Sequence, residues 1–73
     1  MTLMMNVYSC RYQGNSGYAC RVQSGLWMFV PELGQADNNI YKNLALDNIT
    51  FRYGCEKSFE EIYANQPNVL RNI

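Results

Sequence analysis

Apolar and polar residues alternate with a period of two through the first third of the chain. From Asn6 to Gln13, Tyr8, Cys10 and Tyr12 interleave with Val7, Ser9 and Arg11; after Gly14-Asn15-Ser16-Gly17, Tyr18, Cys20 and Val22 interleave with Ala19, Arg21 and Gln23. A period of two predicts strands, and the glycine-bounded spacer predicts that they form a hairpin. Pairing residues whose numbers sum to 30 sets Tyr8 against Val22, Cys10 against Cys20 and Tyr12 against Tyr18. That register makes one apolar face, places Arg11 and Arg21 on the other, and leaves Asn15-Ser16 at the tip of the loop. A one-residue slip mixes the faces.

Ser24-Gly25 breaks the alternation, and Leu26-Trp27-Met28-Phe29-Val30 is a continuous apolar run ending at Pro31. It reads as a third strand buried on both faces, or as an exposed sheet edge open to another chain. Gly34 to Asn39 is a polar loop. Residues 40–46 fit two patterns, a helix after an Asp37 cap or a strand face of Ile40, Leu44 and Leu46. Ile49, Phe51 and Tyr53 alternate with Thr50 and Arg52 as a further strand ended by Gly54. Ser58 followed three residues later by Glu61 is a capping box, and it predicts a helix from about Phe59 with Glu60 and Glu61 in its first turn. Pro67 stops or kinks that helix, and it suits the first position of a second short helix carrying Val69, Leu70 and Ile73. The expectation is a single small α+β domain over residues 1–73, with an antiparallel sheet of three to four strands, an N-terminal hairpin and meander, packed on a C-terminal helix.

Length changes this picture in one respect. A chain of 73 residues buries only about 60% of its unfolded surface, so the gain nearly cancels the ordering cost. A covalent staple, an oligomer or a partner is therefore expected to contribute. Net charge is zero, with +1 up to Ala36 and −1 from Asp37 onward, so neither half attracts polyanions or anionic membranes, and nucleic acid is the less favoured partner. No apolar run reaches the 18 or so residues of a membrane span, and the opening Met1-Thr2-Leu3-Met4-Met5 lacks a basic flank and a long apolar core. The expected location is the cytoplasm, with translation starting at Met1, Met4 or Met5.

The chemical inventory is narrow. There is no histidine, which removes any histidine-based triad and the usual near-neutral acid or base. Glu60 and Glu61 point to different faces of a helix, and Lys42 and Lys57 sit in polar contexts that do not lower a lysine pKa. Neither a P-loop nor a Gly-x-Gly-x-x-Gly follows a strand, so no cofactor is expected. Three cysteines without histidine do not complete a four-ligand zinc site. The expected disulfide, in an oxidising compartment, joins Cys10 to Cys20; in a reducing cytosol all three thiols stay free. The protein is thus expected not to be an enzyme but to bind other proteins, as an inhibitor or adaptor. Six Tyr supply rigid contact area, and the abundant Asn supplies adaptable hydrogen bonding. In size the chain is similar to the short inhibitors that phages and mobile elements encode against host enzymes, a likeness carried by no motif. The expected contact residues are Arg11, Asn15, Ser16 and Arg21, with Trp27 or Phe29 if the third strand is not covered; a homodimer through that strand's edge is a further expectation. The second reading is a nucleic-acid-binding accessory protein using tyrosine and arginine, which the predicted segregation of Arg11 and Arg21 from the tyrosines argues against.

Overall fold

The computed structural model describes residues 3–71. Five antiparallel strands form one sheet in the order β4-β3-β2-β1-β5: β1 is Met4–Tyr12, β2 Asn15–Gln23, β3 Leu26–Pro31, β4 Tyr41–Leu44 and β5 Thr50–Ser58. A single 3₁₀ turn, Leu46–Asn48, links β4 to β5, and two short helices follow, α1 (Phe59–Ile62) and α2 (Pro67–Arg71). The architecture is therefore mostly sheet, with five strands where three or four are expected, followed by a short helix after Ser58 and the second short helix that Pro67 allows. Within residues 40–46 the strand reading holds for Tyr41–Leu44 alone, while Ile40 lies before it and Leu46 opens the 3₁₀ turn; no helix forms there, and Asp37 caps none. Its carboxylate instead accepts from the Asn39 amide at 2.9 Å and from the Tyr41 hydroxyl, turning the chain into β4.

The hairpin register differs from the one the alternation predicts. Tyr8 pairs with Ala19, Cys10 with Gly17 and Tyr12 with Asn15, so paired numbers sum to 27 and the turn is only Gln13-Gly14. Both turn residues have positive φ, 50° and 81°, the mirror-image turn whose twist matches that of the flanking strands. An odd sum puts even residues of β1 on the face of odd residues of β2. Cys10 and Cys20 consequently lie on opposite faces, as do Arg11 and Arg21. The Cys10–Cys20 disulfide is excluded by this geometry, and all three cysteines are free. Gly17 is no turn residue: a Cβ there would lie 2.3 Å from the Val30 carbonyl oxygen, so glycine is what allows β2 and β3 to approach.

Each face carries its own core. On one, Val7, Cys20 and Val30 pack with Ile62 and Tyr63, closed over by Phe59 of α1 and by Val69 and Leu70 of α2. Ser58 caps α1, its Oγ accepting from the Glu61 amide at 3.1 Å, and Pro67 opens α2 as its spacing predicts; Ile73 lies outside the described residues. On the other face Cys10, Ala19, Phe29, Leu44 and Ile49 are buried with no helix above them. Curvature covers them instead. Trp27 on β3 and Phe51 on β5 stand three strand spacings apart, about 14 Å in a flat sheet, yet their ring centroids are 5.0 Å apart. Tyr12 on β1 and Tyr41 on β4 repeat the test at 5.1 Å. Register shifts leave one extra residue on β2 (Val22), one on β5 (Arg52) and one on β4, where Asn43 has φ 58°. Such bulges bend and twist the strands that carry them, and three of them roll the sheet into a half-closed barrel.

Two sequence expectations fail in β5. The bulge at Arg52 breaks the alternation of β5, so Phe51 faces the rolled interior opposite Cys10 while Tyr53 pairs with Ser9 on the other face. Gly54 does not end the strand, which runs four residues further. β3 is an interior strand between β2 and β4, so a homodimer through its edge is ruled out. Its burial on both faces is borne out by Phe29 and Val30, which enter opposite cores.

Candidate apolar recognition pocket

The rolled face opens beside the 3₁₀ turn into a cleft of about 220 Å³ lined by Tyr8, Trp27, Leu46 and Phe51. Each wall comes from a different element. Tyr8 stands on β1, Trp27 on β3 and Phe51 at the start of β5, and the three rings meet edge to face with centroids 5.0 to 5.6 Å apart. Edge-to-face contacts set the positive rim of one ring on the negative face of the next, which fixes the walls without filling the space between them. Leu46 is held outward by its turn, in which Asn48 N–H donates to the Ala45 carbonyl at 3.1 Å and Ile49 N–H to the Leu46 carbonyl at 3.3 Å. Ile49 is buried as the anchor of that turn, whereas Leu46 is 55% exposed and Tyr8 45% exposed. Under the Tyr8 ring sits Gly54, where a Cβ would lie 3.4 Å from Cε1.

Charge lies at the rim. Arg21 is opposite Trp27 on β2, Arg52 follows Phe51 at the bulge, and among the described residues neither forms an ion pair. Beneath, burial pushes the Cys10 thiol up to about 12, helped by the neighbouring Cys20 and opposed by the Arg52 charge. Burial alone pushes Cys20 to about 11. Both thiols are protonated and shielded, the state of structural rather than nucleophilic cysteines. Among the described residues no group of three His, Cys, Asp or Glu side chains converges as a metal site, and no helix is long and apolar enough to cross a membrane.

A second depression, about 260 Å³, lies between the β2–β3 layer and α1 and is lined by Tyr18, Glu32, Leu33, Glu61 and Ala64. Its carboxylates are engaged or solvated. Glu61 accepts from Ser58 Oγ at 3.2 Å and pairs with Lys57 at 3.8 Å. Burial raises the Tyr18 hydroxyl, the Lys57 charge lowering it and Glu32, Cys55 and Glu61 adding to the rise.

Of the contact residues the sequence singles out, only Trp27 lines the apolar cleft. Arg21 flanks it, and Arg11 is exposed on the opposite face. Asn15 and Ser16 are not a loop tip: they open β2, where Ser16 N–H donates to Gln35 Oε1 at 2.9 Å and the Ser16 carbonyl accepts from Glu32 N–H at 3.1 Å. Phe29 is 1% exposed and has no surface to offer. Tyr8, Leu46 and Phe51 are the residues that sequence reasoning misses, Leu46 because it reads there as part of a strand face with Ile40 and Leu44. Comparison with known proteins adds no relative, since no family model, curated protein or solved structure matches the chain.

Proposed function

We propose that the chain is a non-catalytic protein-recognition module of the cytoplasm, an inhibitor or adaptor of a larger protein, and that its apolar cleft receives an anchor side chain of that partner. The cleft carries the reading. It is smaller than the roughly 300 to 1,000 Å³ of sites for small molecules and cofactors, it is walled by aromatic and aliphatic groups, and no acid, base or nucleophile stands in its lining. Small, dry, aromatic pockets are what interface hot spots occupy. A rigid Trp–Tyr–Phe wall costs little side-chain entropy when a partner docks, and Leu46 and Tyr8 extend the apolar rim outward.

The second reading, nucleic-acid binding, gains from one observation. Arg21 shares a face with Trp27 and Tyr8, so the segregation of charge from aromatics that the predicted register implies does not hold. The experiment that separates the two is a tagged capture from lysate of the natural source, with and without nuclease, comparing the wild-type chain with Leu46→Asp. Leu46 is solvent-facing, so this variant keeps the fold and charges only the rim. The expected result is a near-stoichiometric protein partner that survives nuclease and is lost with Leu46→Asp. Partners that vanish with nuclease assign the aromatic face to nucleic acid, and a partner retained by Leu46→Asp places the interface elsewhere.

A further inference from the structure

The half-closed barrel leaves two sheet edges, and they are unlike. The β4 edge is four residues long and carries the left-handed Asn43, so it offers little to pair with. The β5 edge runs nine residues, Thr50–Ser58, beside β1 only, and leaves a row of backbone donors and acceptors without strand partners among the described residues. Edges of this kind recruit another strand unless something rejects it.

Symmetry limits what a second copy can do here. Two identical antiparallel edge strands related by a two-fold axis through the sheet keep the same face upward, so paired residue numbers sum to an even number and one residue sits on the axis. Centring on Arg52, Glu56 or Lys57 brings like charges together, which is destabilising across a pair. Centring on Cys55 sets Glu56 against Gly54 and Arg52 against Ser58; centring on Tyr53 sets Arg52 against Gly54 and Glu56 against Thr50. Only the register centred on Gly54 opposes unlike charges, and it does so twice.

We propose that β5 pairs antiparallel with β5 of a second copy of this chain about a two-fold axis at Gly54, setting Arg52 of each copy against Glu56 of the other. The register also lays Tyr53, 61% exposed, against Cys55 of the partner copy, and puts a residue without a side chain where the two strands cross the axis. Arg52 has no other ion partner among the described residues, nor has Glu56. The bulge at Arg52 twists this edge away from flat strands of unrelated proteins, but a second copy carries the same bulge and the same twist. The surface adjoins the apolar cleft, since Phe51 walls the cleft and Arg52 follows it at the rim, but strand pairing uses the outer backbone edge of β5 and not the space between the rings. It also answers the near balance between burial and ordering in a chain this short.

The test is sedimentation velocity of the full chain over a dilution series from high micromolar to nanomolar, with Arg52→Glu and Glu56→Arg. The wild-type chain is expected to dimerise. Each single variant turns two attractive cross-strand pairs into two repulsive ones and is expected to dimerise about thirtyfold more weakly. An equimolar mixture of the two variants restores both opposite-charge pairs in the heterodimer, and it is expected to regain wild-type affinity. The double variant Arg52→Glu/Glu56→Arg keeps both pairs in its own homodimer and gives the same readout should a single variant fold poorly. A wild-type chain that sediments as a monomer throughout, single variants that dimerise as tightly as wild type, or a mixture and double variant no tighter than the single variants would each overturn the proposal.

Discussion

Replacing Gly17 by alanine should damage the protein more than any other single methyl addition at its glycines. The new Cβ would lie 2.3 Å from the Val30 carbonyl oxygen, 2.8 Å from Phe29 Cζ and 2.8 Å from Pro31 Cα. Two of these obstacles are backbone, and the third belongs to a ring that is itself fully buried, so no flexible side chain can move aside. Relief requires β2 and β3 to separate where Gly17 pairs with Pro31. Overpacking costs typically 1 to 3 kcal/mol, and a backbone obstacle puts this case at about 3 kcal/mol. For a chain of 73 residues the unfolding entropy is about 0.15 kcal/mol per kelvin, so Tm should fall by about 20 °C. Gly54→Ala is the control: its Cβ meets only Tyr8 ring atoms at 3.4 and 3.6 Å, a half-exposed ring can swing, and stability should stay within about 1 kcal/mol of wild type. Thermal melts followed by circular dichroism decide it. A drop below about 6 °C for Gly17→Ala would show that the strands part easily and that close approach is not why glycine stands there.

Ser58→Ala removes the side-chain acceptor for the Glu61 amide and should cost about 1 kcal/mol in urea unfolding; an unchanged midpoint would mean that α1 is held by Phe59 and Ile62 alone. Cys10 and Cys20 titrate at about 12 and about 11 when folded against 9.0 without burial, so the unfolded chain releases its thiol protons first. Stability should be complete below about pH 9 and decline as pH rises toward 11 to 12, with Tyr63, also raised by burial, adding to the loss. Urea midpoints that stay level between about pH 8 and pH 10.5 would contradict this. A thiol reagent should label the half-buried Cys55 first and reach Cys10 and Cys20 only with denaturant; a count of one thiol in denaturant without reductant would mean that a disulfide forms after all.

The parts legible from sequence are those set by local chemistry. Leu26 to Pro31 is a strand because its apolar run suits burial on both faces, and Ser58, Glu61 and Pro67 mark helix starts because capping and proline act within one turn. What escapes is set by geometry across strands. Gly14 and Gly17 look alike in a polar stretch, yet one supplies a positive φ in a two-residue turn and the other makes room for Val30; reading both as turn glycines shifts the register by three and reverses the faces of β2 relative to β1. Period-two alternation carries no trace of the extra residue at Arg52, so Tyr53 is assigned to the face of Phe51. The apolar cleft was out of reach for a related reason. Its walls lie on three strands and a turn, and only the rolling produced by bulges brings Trp27 to Phe51.

The place of β1 has a consequence for how the chain comes off the ribosome. β1 is made first and pairs on one side with β2 at once, but its other neighbour is β5, so Met4 waits for Ser58. Until residues 50–58 emerge, the long flank of β1 has no partner and the Val7 side of the sheet has no α1 or α2 to shelter it. Non-local pairing of this kind slows folding and leaves intermediates open to aggregation. Nascent chains truncated before residue 50 should accordingly engage chaperones, and release should coincide with the arrival of β5.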